Sequence, residues 1–267
     1  MFFSEQRNYA GIRLMSGFMN PAEFANIRQS EENFWWYRGM RAILFRMLDP
    51  HLAGRTVGRA LEAGCGTGYL SHLLQRERGW PIVPLDFSGD GLRYGRSLGV
   101  RNPVQGDIRS LPFGDGAFDL VMSLDVIAHL PRGEEHRAAR EMARVARRGG
   151  LVVVRTSALD MLRSRHGEFA YERQRFTRRR LMGLFAGAGI RVLRCSYCNS
   201  LLMPIALLKF RLWEPLLRKS PESGVRPVAP WLDRLLFAPL AMEAAWIGGG
   251  RNLSAGQSLL LIGEKLL

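Results

Sequence analysis

Cysteine is scarce in this 267-residue chain: Cys65, Cys195 and Cys198 are all it has. They are too few and too clustered for a disulfide framework. Cys195-x-x-Cys198 could be redox-active or half of a zinc site, but no second Cys or His pair has matching spacing, so small buried side chains on a strand are expected and no metal site is assigned. Lysine is equally scarce, limited to Lys209, Lys219 and Lys265, so the formal charge of +14 is carried almost entirely by arginine. That charge admits nucleic acid, an anionic membrane surface or an acidic substrate as partner, or simply a compositional skew. No basic run interleaved with aromatics is present, which makes nucleic acid the weaker choice. Long uncharged apolar runs are missing as well. None reaches the ~18–20 residues that span a bilayer. The N-terminus has no basic stretch leading into an apolar one, so no secretory signal is expected and the chain is expected in the cytoplasm.

Hydrophobic residues make up 47% of the chain, enough for a substantial core. Residues 1–20 are expected to be poorly ordered. A helical pattern runs from Pro21 to about Leu48 and ends at Asp49-Pro50. Strands and helices then alternate: strand 59–63, helix 67–75, strand 81–86, helix 88–98, strand 100–105, strand 118–124, helix 134–147 and strand 151–155. The strand at 118–124 is a continuous apolar run, as for a strand buried on both faces. The alternation predicts a parallel sheet with helices on both faces and a ligand outside the carboxyl ends of the strands. After a helix at 177–186 and a strand at 190–197, roughly 55 residues intervene before the last strand, 258–264, far more than an ordinary loop. Two apolar helical stretches, 201–217 and 231–247, fill that interval, with a proline-rich break at 221–227 between them.

The chemistry begins at Glu62-Ala63-Gly64-Cys65-Gly66-Thr67-Gly68, which reads as a strand end, a glycine turn and a helix start. Glycines let a backbone approach a ligand closely and adopt positive φ, and the new helix presents free N–H groups and a positive dipole end. The spacing is G-x-G-x-G, not the G-x-G-x-x-G of pyrophosphate-binding turns, and argues for a nucleoside ligand without a pyrophosphate. Asp86 follows at the end of the next strand, 22 residues after Gly64.

This pattern resembles motif I of the class I S-adenosylmethionine (SAM) methyltransferases. Leu111-Pro112-Phe113…Phe118-Asp119-Leu120-Val121 and Arg144-Val145…Gly149-Gly150 resemble stretches of their methyltransferase-11-type subfamily, with Arg148 where a proline is usual. The resemblance implies a Rossmann-like seven-stranded α/β sheet. Residues 1–50 would be an N-terminal helical cap, 51–198 the SAM-binding core, 199–256 a helical insertion and 257–267 the final core strand. It also implies roles residue by residue. Gly64, Cys65, Gly66 and Gly68 would wrap the methionine and ribose, and Glu62 would help bind the methionine amine. Asp86, with Phe87 beside it, would hold the ribose. Asp107 would accept from the adenine amine with Ile108 on the ring, and Ser123 and Asp125 would lie beside the methionine and methyl group. Phe34-Trp35-Trp36-Tyr37-Arg38 resembles a segment that precedes the core in some members. Its aromatics would cover the adenosine or pack on the sheet, with Tyr37 and Arg38 in reach of SAM and Arg38 on the methionine carboxylate.

Methyl transfer is an in-line displacement, so positioning supplies much of the rate and a base is needed only if the acceptor must lose a proton. His166 is the first candidate base and His129 the second, both near neutrality at pH 7. The segment around His166 departs from the similar subfamily stretch, with Gly167 where an acid is usual. An N-P-P-[YF] signature is absent after the fourth strand, against amino-methylation of DNA bases or protein amides. The reading is a SAM-dependent methyltransferase acting on a small or lipid-like acceptor, most readily at oxygen. The apolar insertion, with Arg211, Arg218 and Lys219, would suit an acceptor pocket, a peripheral membrane contact or a homodimer. A catalytically silent SAM-binding partner subunit and an RNA methyltransferase are the alternatives.

Overall fold

The structure, a computed structural model, describes residues 19–217 and 220–266; most of the segment expected to be poorly ordered, and Arg218 and Lys219, lie outside the described residues. The chain enters through α1 (Pro21–Ser30) and α2 (Trp35–Leu52). The single helix expected here is two, because residues 31–34 form a turn. Helix α2 also runs through Pro50, since a proline in the last turn removes only one hydrogen bond.

The alternation that follows is β1 (Ala60–Ala63), α3 (Tyr69–Glu77), β2 (Ile82–Asp86), α4 (Gly89–Ser97), β3 (Val104–Gln105), β4 (Phe118–Leu124), α5 (Glu135–Val145) and β5 (Ala146–Ser157). Strand β3 is shorter than its apolar pattern suggests. Asn102 turns the chain at φ 52° and Pro103 has no N–H for a ladder. Strand β5 is longer, its pairing shifting between Phe118 and Leu120, where Gly149 at φ 71° accommodates the irregularity. Next come α6 (Arg165–Phe169), α7 (Arg178–Ala186) and β6 (Ile190–Cys198). The insertion then supplies α8 (Met203–Leu208), a π-helical stretch (Lys209–Trp213), α9 (Glu214–Leu216) and α10 (Pro230–Gly248), and β7 (Ser258–Lys265) closes the fold.

The seven strands form one sheet in the order β3-β2-β1-β4-β5-β7-β6. β1 to β5 pair in parallel, whereas β7 runs antiparallel between β5 and β6. Each face carries its own core. Phe118, Val121 and Val152 meet Ala139 and Met142 of α5 and Phe185 of α7 on one side. Leu120, Met122 and Val153 meet Ile43 and Met47 of α2 and Leu240 of α10 on the other. Cys195 and Cys198 are unpaired and buried in β6. Burial pushes the Cys195 thiol up to about 11 and that of Cys198 higher still.

Helix α10 is tied to the rest of the fold by its two acids. Asp233 accepts the Trp35 N–H at 2.8 Å and pairs with Arg38. Glu243, buried, accepts the Ser200 and Leu201 N–H groups, each at 2.7 Å. Between these ties α10 lies so close on α2 that a Cβ on Gly39 would come within 2.5 Å of Leu240 Cβ. Gly39→Ala is therefore expected to lower stability by ~1–3 kcal/mol through overpacking, read as a fall in Tm by thermal melting.

Candidate functional site

The carboxyl ends of β1, β2 and β4 converge on one cavity of ≈ 880 Å³. At the end of β1 the chain turns through Gly64, Gly66 and Gly68, all at positive φ (90°, 56° and 74°). The Gly64 and Cys65 N–H groups both donate to the Leu85 carbonyl, at 2.7 and 2.9 Å. At Gly64 a side chain is impossible, since a Cβ would sit 2.1 Å from Val126 Cγ2. Asp86 closes the turn from the tip of β2. Its Oδ2 accepts the Gly66 N–H and its Oδ1 the Ser88 N–H, each at 2.7 Å. Burial raises the Asp86 pKa, and these backbone donors pull it back.

Two glycines of α4 complete the cradle, and sequence reasoning passed over both. A Cβ on Gly91 would approach the Gly66 carbonyl to 2.5 Å, and one on Gly95 would approach the Thr67 carbonyl to 3.2 Å. Their four-residue spacing places both on one helix face, which was the available signal.

Buried acids dominate the electrostatics. Glu62 accepts a hydrogen bond from the Ser71 hydroxyl, and burial pushes its pKa up to about 8. Glu31, from the turn between α1 and α2, accepts from Thr67 and is pushed up to about 7 by burial, against the pull of Thr67, Arg28 and Arg41. Its Oε1 is buried without a hydrogen-bond partner, Arg28 reaching only to 3.8 Å. Asp107 is the opposite case. Burial resists its ionisation, but Arg109, whose Nη2 lies 2.6 Å from Oδ2, holds it below the usual range. Asp125 sits at φ 62° past β4, an uncommon conformation for a non-glycine residue. It pairs with Arg155 at 2.6 Å, and Arg155 lies over the Trp36 ring.

Of the residues singled out in the sequence, Glu62, Gly64, Cys65, Gly66, Asp86, Phe87, Asp107, Ile108, Asp125, Tyr37, His129 and His166 all line this cavity. Gly68 and Ser123 do not. The first opens α3 behind the turn, and the second is fully buried in β4. Arg38 does not line it either, being turned toward Asp233 with its guanidinium 4.5 Å from the Phe237 ring centre. Arg41, one helical turn on, faces the cavity instead. It donates to the Glu31 and Glu32 carbonyls and lies over the Tyr69 ring.

The two histidines are in opposite tautomers. The Gly224 N–H donates to His166 Nδ1 at 3.0 Å, so the neutral ring carries its proton on Nε2 and has no free lone pair there. His129 Nδ1 faces the Tyr171 carbonyl at 3.4 Å. A carbonyl can only accept, so Nδ1 holds the proton and the Nε2 lone pair is free. Burial lowers the pKa of both rings, against the pull of nearby carboxylates. The base expected at His166 is thus a hydrogen-bond donor in this arrangement, and His129 has the form of a base.

Residues 61–154 match the family model described as a methyltransferase domain. The "Probable S-adenosylmethionine-dependent methyltransferase" of Mycobacterium tuberculosis is 34% identical over 129 residues, 47% of this chain and 43% of that protein. The phosphatidylethanolamine N-methyltransferase of Cereibacter sphaeroides is 39% identical over 104 residues, 36% of this chain and 49% of that protein. The matched stretch thus spans less than half of these curated relatives. Among solved structures, geranyl diphosphate C-methyltransferase from Streptomyces coelicolor aligns over 86% of this chain and 80% of its own, with TM-score 0.55 and 16% identity. A SAM-dependent methyltransferase from Archaeoglobus fulgidus aligns over 88% and 97%, with TM-score 0.53 and 18% identity. These likenesses establish the class I methyltransferase fold.

The lifted Glu62 carboxyl has a consequence for stability. Between its ordinary pKa of 4.5 and about 8 the folded chain holds a proton that the unfolded chain has lost. Stability from this group is therefore full below pH 4.5 and is lost as pH rises toward 8, at up to ~1.4 kcal/mol per pH unit. Glu62→Gln removes that titration. The Tm of the variant relative to wild type is expected to rise steadily from pH 5 to pH 8.5 in thermal melts.

Proposed function

We propose that this chain, whose residues 61–154 belong to the methyltransferase-domain family on a class I fold, is a SAM-dependent methyltransferase that modifies a small or lipid-like acceptor, most readily at oxygen. The observation that carries the donor half is the glycine turn closed by Asp86, with the buried acids Glu62 and Glu31 beside it. A zwitterion with an added sulfonium charge fits that set. Asp86, which accepts the backbone N–H groups of Gly66, Phe87 and Ser88, keeps acceptor capacity for a ribose hydroxyl. Glu62 and the unpartnered Glu31 Oε1 favour positive charge nearby, and Gly64 and Gly66 let the backbone approach closely.

When bound, SAM supplies an electrophilic methyl group on its sulfonium. The chain's own residues do the rest. Trp35, Trp36 and Tyr37 wall the cavity against water and offer faces that attract a cation. Asp125, neutralised by Arg155, marks the end of β4 where the two reactants would meet. His129 Nε2 takes the acceptor's proton, and the Tyr171 carbonyl fixes its tautomer. His166 donates from Nε2 to orient the acceptor, held by the strap at Gly224.

The acceptor half rests on the opposite wall, where Leu202, Ile205, Ala206, Phe210, Trp213 and Val225 line the cavity. These apolar side chains suit an acyl or isoprenoid chain better than a polar metabolite. The setting proposed is the cytoplasm, which suits three unpaired thiols.

The test is label transfer from methyl-labelled SAM into a lipid extract and, separately, a water-soluble metabolite pool. Label is expected in the lipid fraction. His129→Gln is expected to cut kcat ~10²–10⁴-fold while S-adenosylhomocysteine binding stays at the wild-type level. The wild-type rate should fall only below the ordinary histidine range, as His129 protonates. Transfer by His129→Gln at the wild-type rate contradicts the assigned base. Tight binding with no transfer to either pool would favour the catalytically silent subunit.

A further inference from the structure

The insertion leaves an apolar surface uncovered at the mouth of the cavity. Along 201–216 the residues Leu201, Ile205, Leu208, Leu212 and Leu216 recur at spacings of three and four, the repeat of one helix face. All five are at least half exposed, Leu216 at 78%. An exposed stripe of this kind marks an interaction site rather than scattered surface leucines. Ile205 belongs to the stripe and also lines the cavity, and Trp213, next in sequence to Leu212 and 60% exposed, lines it too. The cavity therefore opens within the apolar surface.

Charge identifies what covers it. Residues 201–217 contain one acid, Glu214, and it is buried, accepting the Arg165 N–H at 2.9 Å. Helix α10 contains two, and both are engaged inward: Asp233 on α2 and Glu243 on the turn before α8. The cations Lys209, Arg211 and Arg234 of the same helices are exposed. An apolar stripe, exposed cations and acids held inside are the features of an element that lies in the plane of an anionic bilayer. Among the described residues no helix is long and apolar enough to cross a membrane.

We infer that the helical stretch 203–216, with the turn at Leu201 before it, is a membrane-docking element that seats the cavity mouth on an anionic phospholipid surface, so that a lipid acceptor enters the site from the bilayer without crossing water. The entry half rests on the acceptor proposed above. The docking half does not, and its test is independent of turnover.

The full chain is mixed with phosphatidylcholine vesicles with or without phosphatidylglycerol and sedimented. Co-sedimentation with the anionic vesicles is expected at low salt, weakening as salt screens the charges. Leu208→Glu/Leu212→Glu/Leu216→Glu, three positions outside the cavity lining, is expected to weaken it at least about tenfold. The variant's Tm and S-adenosylhomocysteine affinity report that the fold and donor site are intact. Arg234→Glu is expected to weaken binding to anionic vesicles only. Absence of binding at low salt, equal binding to neutral vesicles, or undiminished binding by the triple variant would overturn the inference. So would a wild-type dimer in sedimentation velocity that the triple variant converts to monomer, because the stripe would then be covered by a second copy. Docking without label transfer to lipid would retain the surface and refute the acceptor.

Discussion

The acceptance of backbone N–H groups by the Asp86 carboxylate is the interaction on which the site depends. Gly66 belongs to the turn after β1, and Ser88 opens the path into α4. One side chain therefore fixes two loops against each other. The Leu85 carbonyl does the same from the backbone, taking the Gly64 and Cys65 N–H groups. Gly91 then lets α4 approach the Gly66 carbonyl more closely than a side chain would allow, and Gly95 keeps the approach to the Thr67 carbonyl free of crowding. A carboxylate already held in place by backbone N–H groups is preorganised for a hydroxyl partner, so little ordering is left to occur on binding.

Around this anchor the cavity concentrates acids where water is scarce. Glu62 and Glu31 are both lifted by burial, and each is restrained mainly by a single hydroxyl. Ionising such carboxyls is costly in the free protein and easier beside a cationic partner, so stability and binding draw on the same groups. The opposite wall uses the reverse strategy. Asp125 with Arg155 and Glu172 with Arg175 are held as ion pairs, and burial favours the neutral rings of His129 and His166. Their tautomers come from backbone atoms of distant segments, the Tyr171 carbonyl and the Gly224 N–H.

Much of this was legible in the chain. The 118–124 run is β4 to the residue, and Gly64, Gly66 and Asp86, singled out by their spacing, line one cavity with Asp107, which the family resemblance pointed to. Such features are local: a turn, a strand tip and a periodic pattern each declare themselves within a few residues. Arg41 faces the cavity where Arg38 was expected, and the two lie one turn apart on the same helix. Asp233, almost two hundred residues later, decides which of them turns away. The roles of the histidines were hidden for the same reason, because a tautomer depends on an atom brought close only by the fold. The strand limits missed at β3 and β5 trace to Asn102, Pro103 and Gly149, where backbone conformation overrode an apolar pattern.

Calorimetric titration of S-adenosylhomocysteine into wild type and Asp86→Ala tests the central claim most directly. The account predicts micromolar binding to wild type and a loss of about a hundredfold or more in the variant, as expected for two hydrogen bonds to a charged group. No binding to wild type, or equal binding to both proteins, would contradict it.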